Sequence, residues 1–237
     1  MTASEMKTEF LIGYDKITSF AAPGYEDNEI SKFLNDAQER FIKTRYSDAN
    51  KYRVGYEENE KRSKDLSELK RFFETSTFTT GNHPNSYFVE LPDNIMWATK
   101  EEVDLTITDC HGSTSTSRVG VKPIGDDYYN ANINNPFKKP YEELVWRLDF
   151  SRTDDTSVVS SSNKKRHELV YDSASPVSKY YLTYIKYPQS INVSSNASCE
   201  LDPSVHKELV ELAVSIALET SSDPRYNSQK QEENFIE

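Results

Sequence analysis

The sequence predicts an α+β chain in which N- and C-terminal helices form a helical bundle and an antiparallel sheet or barrel-like region is inserted between them. Three observations carry this. Apolar residues recur at helical spacing from Met6 to Phe20 and from Ile30 to Ile42. Between about Ser86 and Tyr187 the apolar period falls to two. Asp202-Pro203 then opens a second helical pattern near the C-terminus. A chain of 237 residues makes one large domain or two small ones, with a core that takes roughly 70–75% of the unfolded chain's surface out of water.

The expected order is 1–80 for the N-terminal helices, 81–199 for the β-rich insertion, 200–220 for a closing helix on the first ones, and 221–237 for an extended tail. Met6, Phe10, Leu11, Tyr14, Ile17 and Phe20 line one helix, which Pro23-Gly24 stops. Asp27 or Asn28 caps the next, where Ile30, Phe33, Leu34, Ala37, Phe41 and Ile42 form a stripe opposite charged residues. A third, heavily charged stretch from about Glu57 to Phe73 places Leu66, Leu69, Phe72 and Phe73 on one face.

Strands are expected at Tyr87–Leu91, ended by Pro92, at Val103–Ile107, at Leu144–Phe150 and at Ser178–Tyr187. No helix of crossover length separates them, which favours antiparallel pairing. Ser113–Ser117 and the longer Ser151–Lys165 stretch read as polar connections, the second either a surface loop or an arm that orders on a neighbouring subunit. Asp202 as cap and Pro203 at the first position start the closing helix, with Val205, Leu209, Leu212, Ala213 and Ile216 on its packed face. Val210, Val214 and Ala217 widen that face, so the helix should be largely buried. The polar segment after Glu219 ends in Phe235-Ile236, either a frayed tail or a docking peptide.

Charge narrows the function. With 28 basic against 39 acidic residues the net charge is −11, which argues against a simple phosphate-neutralising nucleic-acid binder. The charge is uneven: residues 1–75 carry −2, 76–199 carry −3 and 200–237 carry −6. Hydrophobic residues are only 35% while aromatics reach 12%, a balance suited to surfaces that become buried in partners. No apolar run is long enough to span a membrane, and MTASEMKTEF lacks the basic start and apolar core of a signal peptide. Cys110 and Cys199 are expected as free thiols.

A search for chemistry finds no nucleophile elbow, no glycine-rich phosphate loop and no histidine pair at metal-ligand spacing. Cys110-His111 is too small a set to hold a metal. Adjacent acids such as Glu101-Glu102 and Asp154-Asp155 read as solvated pairs. No cofactor, metal or catalytic residue is expected, and the chain reads as a non-enzyme. Lys164-Lys165-Arg166 reads as loop charge, able to reach phosphates or to balance local acids.

Four stretches in one order point further. Val121–Asp149 holds Pro123-Ile124, Asp127-Tyr128-Tyr129, Asn135-Pro136-Phe137-Lys138-Lys139-Pro140 and Trp146-Arg147-Leu148-Asp149. With Glu29–Phe41, Tyr180–Pro188 and the segments Cys199–Leu201, His206–Val210 and Leu212–Val214, the chain from about 26 to 219 resembles virion structural proteins of crAss-like short-tailed phages. Asn132–Asn135 departs from those relatives, which tend to be basic there.

The resemblance implies a head-to-tail connector, or adaptor, in the virion neck or tail. It implies a homo-oligomeric ring, twelvefold to match a portal, in contact with the portal protein and the next tail ring, through which DNA passes without specific binding. No membrane partner is expected, and the resemblance implies assembly in the host cytoplasm. On that plan Pro136 and Pro140 stiffen a loop around Phe137, which either anchors a neighbouring subunit or closes one end of the sheet. Trp146 is a core or interface residue and Arg147 a pairing donor on the opposite strand face. Tyr226, Phe235 and Ile236 are the expected docking residues of the tail.

Overall fold

The computed structural model describes residues 1–18, 24–47, 55–108, 111–151 and 165–221. In chain order the elements are α1 (Ala3–Thr18), α2 (Asp27–Tyr46), α3 (Glu60–Asp65), β1 (Lys70–Thr75), β2 (Thr79–Thr80), β3 (Ser86–Glu90), β4 (Ile95–Thr108), β5 (Thr114–Pro123), α4 (Asp126–Asn132), β6 (Val145–Ser151), β7 (Lys165–Val170), β8 (Val177–Lys186) and α5 (His206–Ser221). They divide into a helical unit, residues 1–69 with 188–237, and a sheet unit, residues 70–187.

In the helical unit α5 packs on both α1 and α2. Met6, Phe10 and Tyr14 of α1, Ile30, Leu34, Ala37, Phe41 and Ile42 of α2, and Leu209, Val210, Ala213, Val214, Ala217 and Leu218 of α5 are buried. The broad apolar surface of α5 is therefore consumed by two neighbours. Gly13 permits the close approach of α1 to α5, because a Cβ there would stand 3.2 Å from Val214 Cγ2. Asp202 caps the short 3₁₀ turn Pro203–Val205 that leads into α5, accepting from Ser204 N–H at 2.8 Å. The cap of α2 is Glu26, not Asp27 or Asn28: its N–H donates to Glu29 Oε2 at 2.9 Å, one half of a capping box.

The third helical stretch is shorter than its spacing suggested. α3 ends at Asp65, a 3₁₀ turn covers Ser67–Leu69, and the chain then enters β1, which pairs with β8 from Lys70↔Ile185 to Thr75↔Tyr180. Leu66 and Leu69 remain in the helical unit, whereas Phe73 joins the sheet core and Phe72 is 63% exposed on the other strand face. A six-residue ladder outweighs a weak helical period. The sheet unit thus begins at Lys70, earlier than 81, and ends at Tyr187.

Residues 188–193 belong to the helical unit because α2 binds their backbone. Asn35 makes a two-bond clamp on Ile191, its Nδ2 donating to the carbonyl and its Oδ1 accepting from the N–H, both at 2.8 Å. Ser31 Oγ accepts from Val193 N–H at 3.0 Å, and Gln38 Nε2 donates to the Gln189 carbonyl at 3.4 Å. Positions 31, 35 and 38 share one helix side, so a polar stripe beside the apolar one replaces a strand partner for this segment.

The sheet unit is one eight-stranded sheet in the order β1-β8-β4-β5-β6-β7-β3-β2. It is mixed, not wholly antiparallel, because β5 and β6 run parallel at Val121↔Val145 to Pro123↔Arg147. The crossover between them is the seven-residue α4 plus the turns that follow, too short and polar to announce itself by period. Ser113–Ser117 is mostly strand, not connection: Thr114–Ser117 is the first half of β5, paired with β4 after Gly112, whose φ of 81° makes the turn. Lys165 and Arg166 open β7 and pair with Ser151 and Phe150, so they are not loop charges.

Chain connectivity requires the sheet to curl. Eight strands laid flat would separate the outermost strands by about 34 Å at the usual spacing. Yet β1 ends at Thr75 and β2, the opposite edge, starts at Thr79, and four residue steps span at most about 14 Å. The two edges therefore meet at a seam, and the sheet is barrel-like. Its interior holds Val103, Leu105, Val119, Val145, Leu169, Tyr180, Leu182 and Tyr184. Tyrosine accordingly serves the interior more than composition suggested: Tyr14, Tyr56, Tyr129, Tyr180, Tyr181 and Tyr184 are all buried.

Candidate interface loop and its buried polar support

Strand alternation on β6 sets the site. Trp146 and Leu148 point to the outer face and Arg147 to the barrel interior, as the alternating period requires. α4 covers the outer face: Tyr129, Trp146, Leu148 and Val170 form a buried cluster flanked by Ile124, Tyr128, Ile133 and Leu144. The Tyr128 and Tyr129 rings meet the Trp146 indole edge-on, at 5.6 and 6.3 Å. Trp146, fully buried, is a core residue of the subunit.

The loop between α4 and β6 is built on Asn135. Its carbonyl accepts from Lys138 N–H at 3.1 Å and Lys139 N–H at 3.0 Å, while its Oδ1 accepts from Phe137 N–H at 3.0 Å. Pro140 is buried at the base and Pro136 is exposed near the tip. Tyr141 and Leu144 exchange two backbone bonds, of 3.1 and 2.9 Å, that close the loop before β6. These restraints hold Phe137 out at 93% exposure, with Tyr141 beside it at 49%. The proline-flanked aromatic is thus presented to solvent, and it does not close the sheet.

Below the loop, two polar clusters fix β6 and β7. On the outer face Glu168, fully buried, accepts from Ser86 Oγ at 2.5 Å, from His83 N–H at 2.7 Å, and pairs with His83 Nδ1 at 2.9 Å. Burial pushes this carboxyl upward, but the donors outweigh it and hold it below the ordinary glutamate range. Gly81 makes room, since a Cβ there would lie 2.0 Å from Ser86 Oγ and 2.6 Å from Glu168 Oε1. Serine, histidine and glutamate meet here, but Ser86 is bonded to the carboxylate and to the His83 carbonyl, not presented to an imidazole base.

Inside the barrel Arg147 Nη1 lies 2.8 Å from His167 Nε2, and the other ring nitrogen, Nδ1, lies 2.8 Å from the Tyr180 hydroxyl. Tyr180 in turn donates to Glu101 Oε2 at 3.0 Å, and Glu101 pairs with Arg147 Nε at 3.4 Å. The circuit of Arg147, His167, Tyr180 and Glu101 closes on itself. Burial and the neighbouring Glu101 push the Tyr180 phenol well above its ordinary range. Asp149, bonded by His167 and Arg147 at the rim, is held below the usual carboxylate range by His167 first. Arg147 therefore faces the interior, away from the Phe137 loop.

Of the expected interface residues, the structure brings together Pro136, Phe137 and Pro140 in one loop and sets Arg147 apart; Tyr226, Phe235 and Ile236 lie outside the described residues. Sequence reading set Phe72 on a helix face, where the structure has it exposed on β1, and missed Glu168 and the Ser31/Asn35/Gln38 stripe. The stripe had a signal in its helical spacing. Glu168 had none, since its partners are 82 and 85 residues away. Among the described residues no group of acids, histidines or cysteines could hold a metal ion, and no helix is long and apolar enough to cross a membrane.

The curled sheet thus buries one polar cluster inside and another beneath its outer face, and it turns an aromatic loop to solvent. Residues 1–230 match the family described as phage tail ring protein 3/4, and the chain belongs to it. Among particular relatives, it is 29% identical to Ring protein 4/5 of Bacteroides phage crAss001 over 92% of each chain. It is 33% identical to Ring protein 3 of the same phage, over 81% of this chain and 84% of the relative. The chain is thus a ring-forming phage tail protein of the virion.

Proposed function

We propose that this chain is a non-enzymatic adaptor subunit that closes into a twelvefold ring at the portal–tail junction and continues the DNA channel. The observation that carries the reading is the Phe137 loop: a rigid, solvent-held aromatic in a member of a ring-forming family is a ready intersubunit anchor. The charge of −11 suits a channel that repels passing DNA instead of binding it. The −6 of residues 200–237 suits docking of the closing helix and tail on a basic portal surface, with Tyr226, Phe235 and Ile236 as the apolar contacts. Ring and portal stand on this reading as partners, with no cofactor required.

A second reading, a ring further along the tail, is favoured by the numbered names of the relatives, rings 3 and 4/5 of one phage. Deleting residues 221–237 separates the two. The portal reading predicts at least tenfold weaker co-purification with portal protein while the ring unit stays folded. Unchanged portal binding would refute it.

A further inference from the structure

We propose that subunits of the ring join head to tail through the sheet unit, the Phe137 loop of one copy seating on the Phe72 surface of the next copy. This rests on the ring reading above and adds the two surfaces that would meet. In the strand order, the β5–β6 step is the midpoint, with four strands on each side, and α4 with the Phe137 loop is the connection that makes that step. Because the curl brings β1 and β2 together at the seam, the midpoint lies across the barrel from the seam. Phe72 stands on β1, at the seam.

The two most exposed large hydrophobic residues of the described chain are Phe137 at 93% and Phe72 at 63%, and the topology sets them on opposite sides of one unit. That is the arrangement a closed ring of identical copies requires: a heterologous contact uses two different surfaces facing opposite ways. The receiving surface is firm. Phe72 stacks on Tyr181 with ring centres 6.1 Å apart, and the Arg118 guanidinium covers Tyr181 at 3.9 Å. Tyr181 is further fixed by donating to Asp104 Oδ2 at 2.7 Å.

Both surfaces carry exposed charges of both signs, Lys138, Lys139, Glu142 and Glu143 around Phe137, and Lys70, Arg71 and Glu74 around Phe72, so neither repels the other as a block. Lys70 and Arg71 on β1, and the two-residue length of β2, disfavour adding a further strand at the seam. Side-chain docking of an aromatic anchor is the contact that fits.

Photo-crosslinking in assembled rings tests this. Phe137→p-benzoylphenylalanine is introduced, isotopically light and heavy copies are mixed, and crosslinked peptides are identified by mass spectrometry. Phe137 is solvent-held, so the replacement leaves folding untouched. The expected result is a mixed-isotope crosslink to residues 70–75 or Tyr181, reduced at least fivefold when Phe72→Ala is added. Crosslinks elsewhere, crosslinks to another protein, or none in a preparation that electron microscopy shows to be rings would overturn the proposal and leave the ring reading standing. Wild-type protein that forms no rings would overturn both.

Discussion

Glu168 shows how a single buried group can stiffen a surface loop from below. It lies on the strand next to β6, fully buried and bonded by Ser86 and His83, and the Tyr129 ring of α4 lies tilted against the His83 ring with centres 4.3 Å apart. Its carboxyl titrates below the ordinary glutamate value of 4.5, so its stabilisation is fully present above about pH 4.5 and is lost as pH falls through the lowered value. Glu168→Gln should cost about 2–3 kcal/mol at pH 7, by weakening the three bonds that the carboxylate accepts in a buried site. It should also flatten the loss of stability between pH 7 and pH 3.5, measured by thermal unfolding at both; an unchanged slope would contradict the assignment. Phe137 could be read from sequence because two prolines flag a rigid turn. Arg147 and Trp146 were legible as occupants of opposite faces by strand alternation. Glu168 could not be, because its worth comes from residues that only the fold brings near.

Among elements, the polar stripe of α2 decides where the helical unit ends. Asn35→Ala removes both bonds to the Ile191 backbone and leaves a buried N–H and carbonyl to find water. A loss of about 2 kcal/mol is expected, with hydrogen exchange accelerating at residues 189–193 and not in the strands. Exchange rising equally in β8 would show that the segment is not held by α2. The strongest periodic segments, α1, α2, α5, β8 and the Val103–Ile107 half of β4, were visible in sequence because each has a regular apolar face, whereas the irregular first half of β4 was not. β1 was hidden within a charged helical pattern, β5 because Ser and Thr fill its first residues, and β7 because charged and polar residues, His167 and Glu168 among them, occupy buried positions in it. Strand edges and short crossovers take their structure from neighbours, which no local pattern records.

At the scale of the whole molecule, the chain pairs a helical unit closed by α5 with a barrel-like sheet unit, and family membership makes it one subunit of a ring in a phage tail. The division into helical ends and an inserted sheet was legible from the change of period. The parallel β5–β6 step was not, although it carries the Phe137 loop of the proposed contact to the side of the sheet facing away from the seam. The central claim is closure into a ring through that loop. Electron microscopy of the purified protein with its portal, for the wild type and for Phe137→Ser, tests it most directly. Closed rings of twelve copies stacked on the portal are expected for the wild type, and monomers of unchanged folded stability for the variant. Wild-type protein that stays monomeric beside the portal, or rings that form equally well without Phe137, would contradict it.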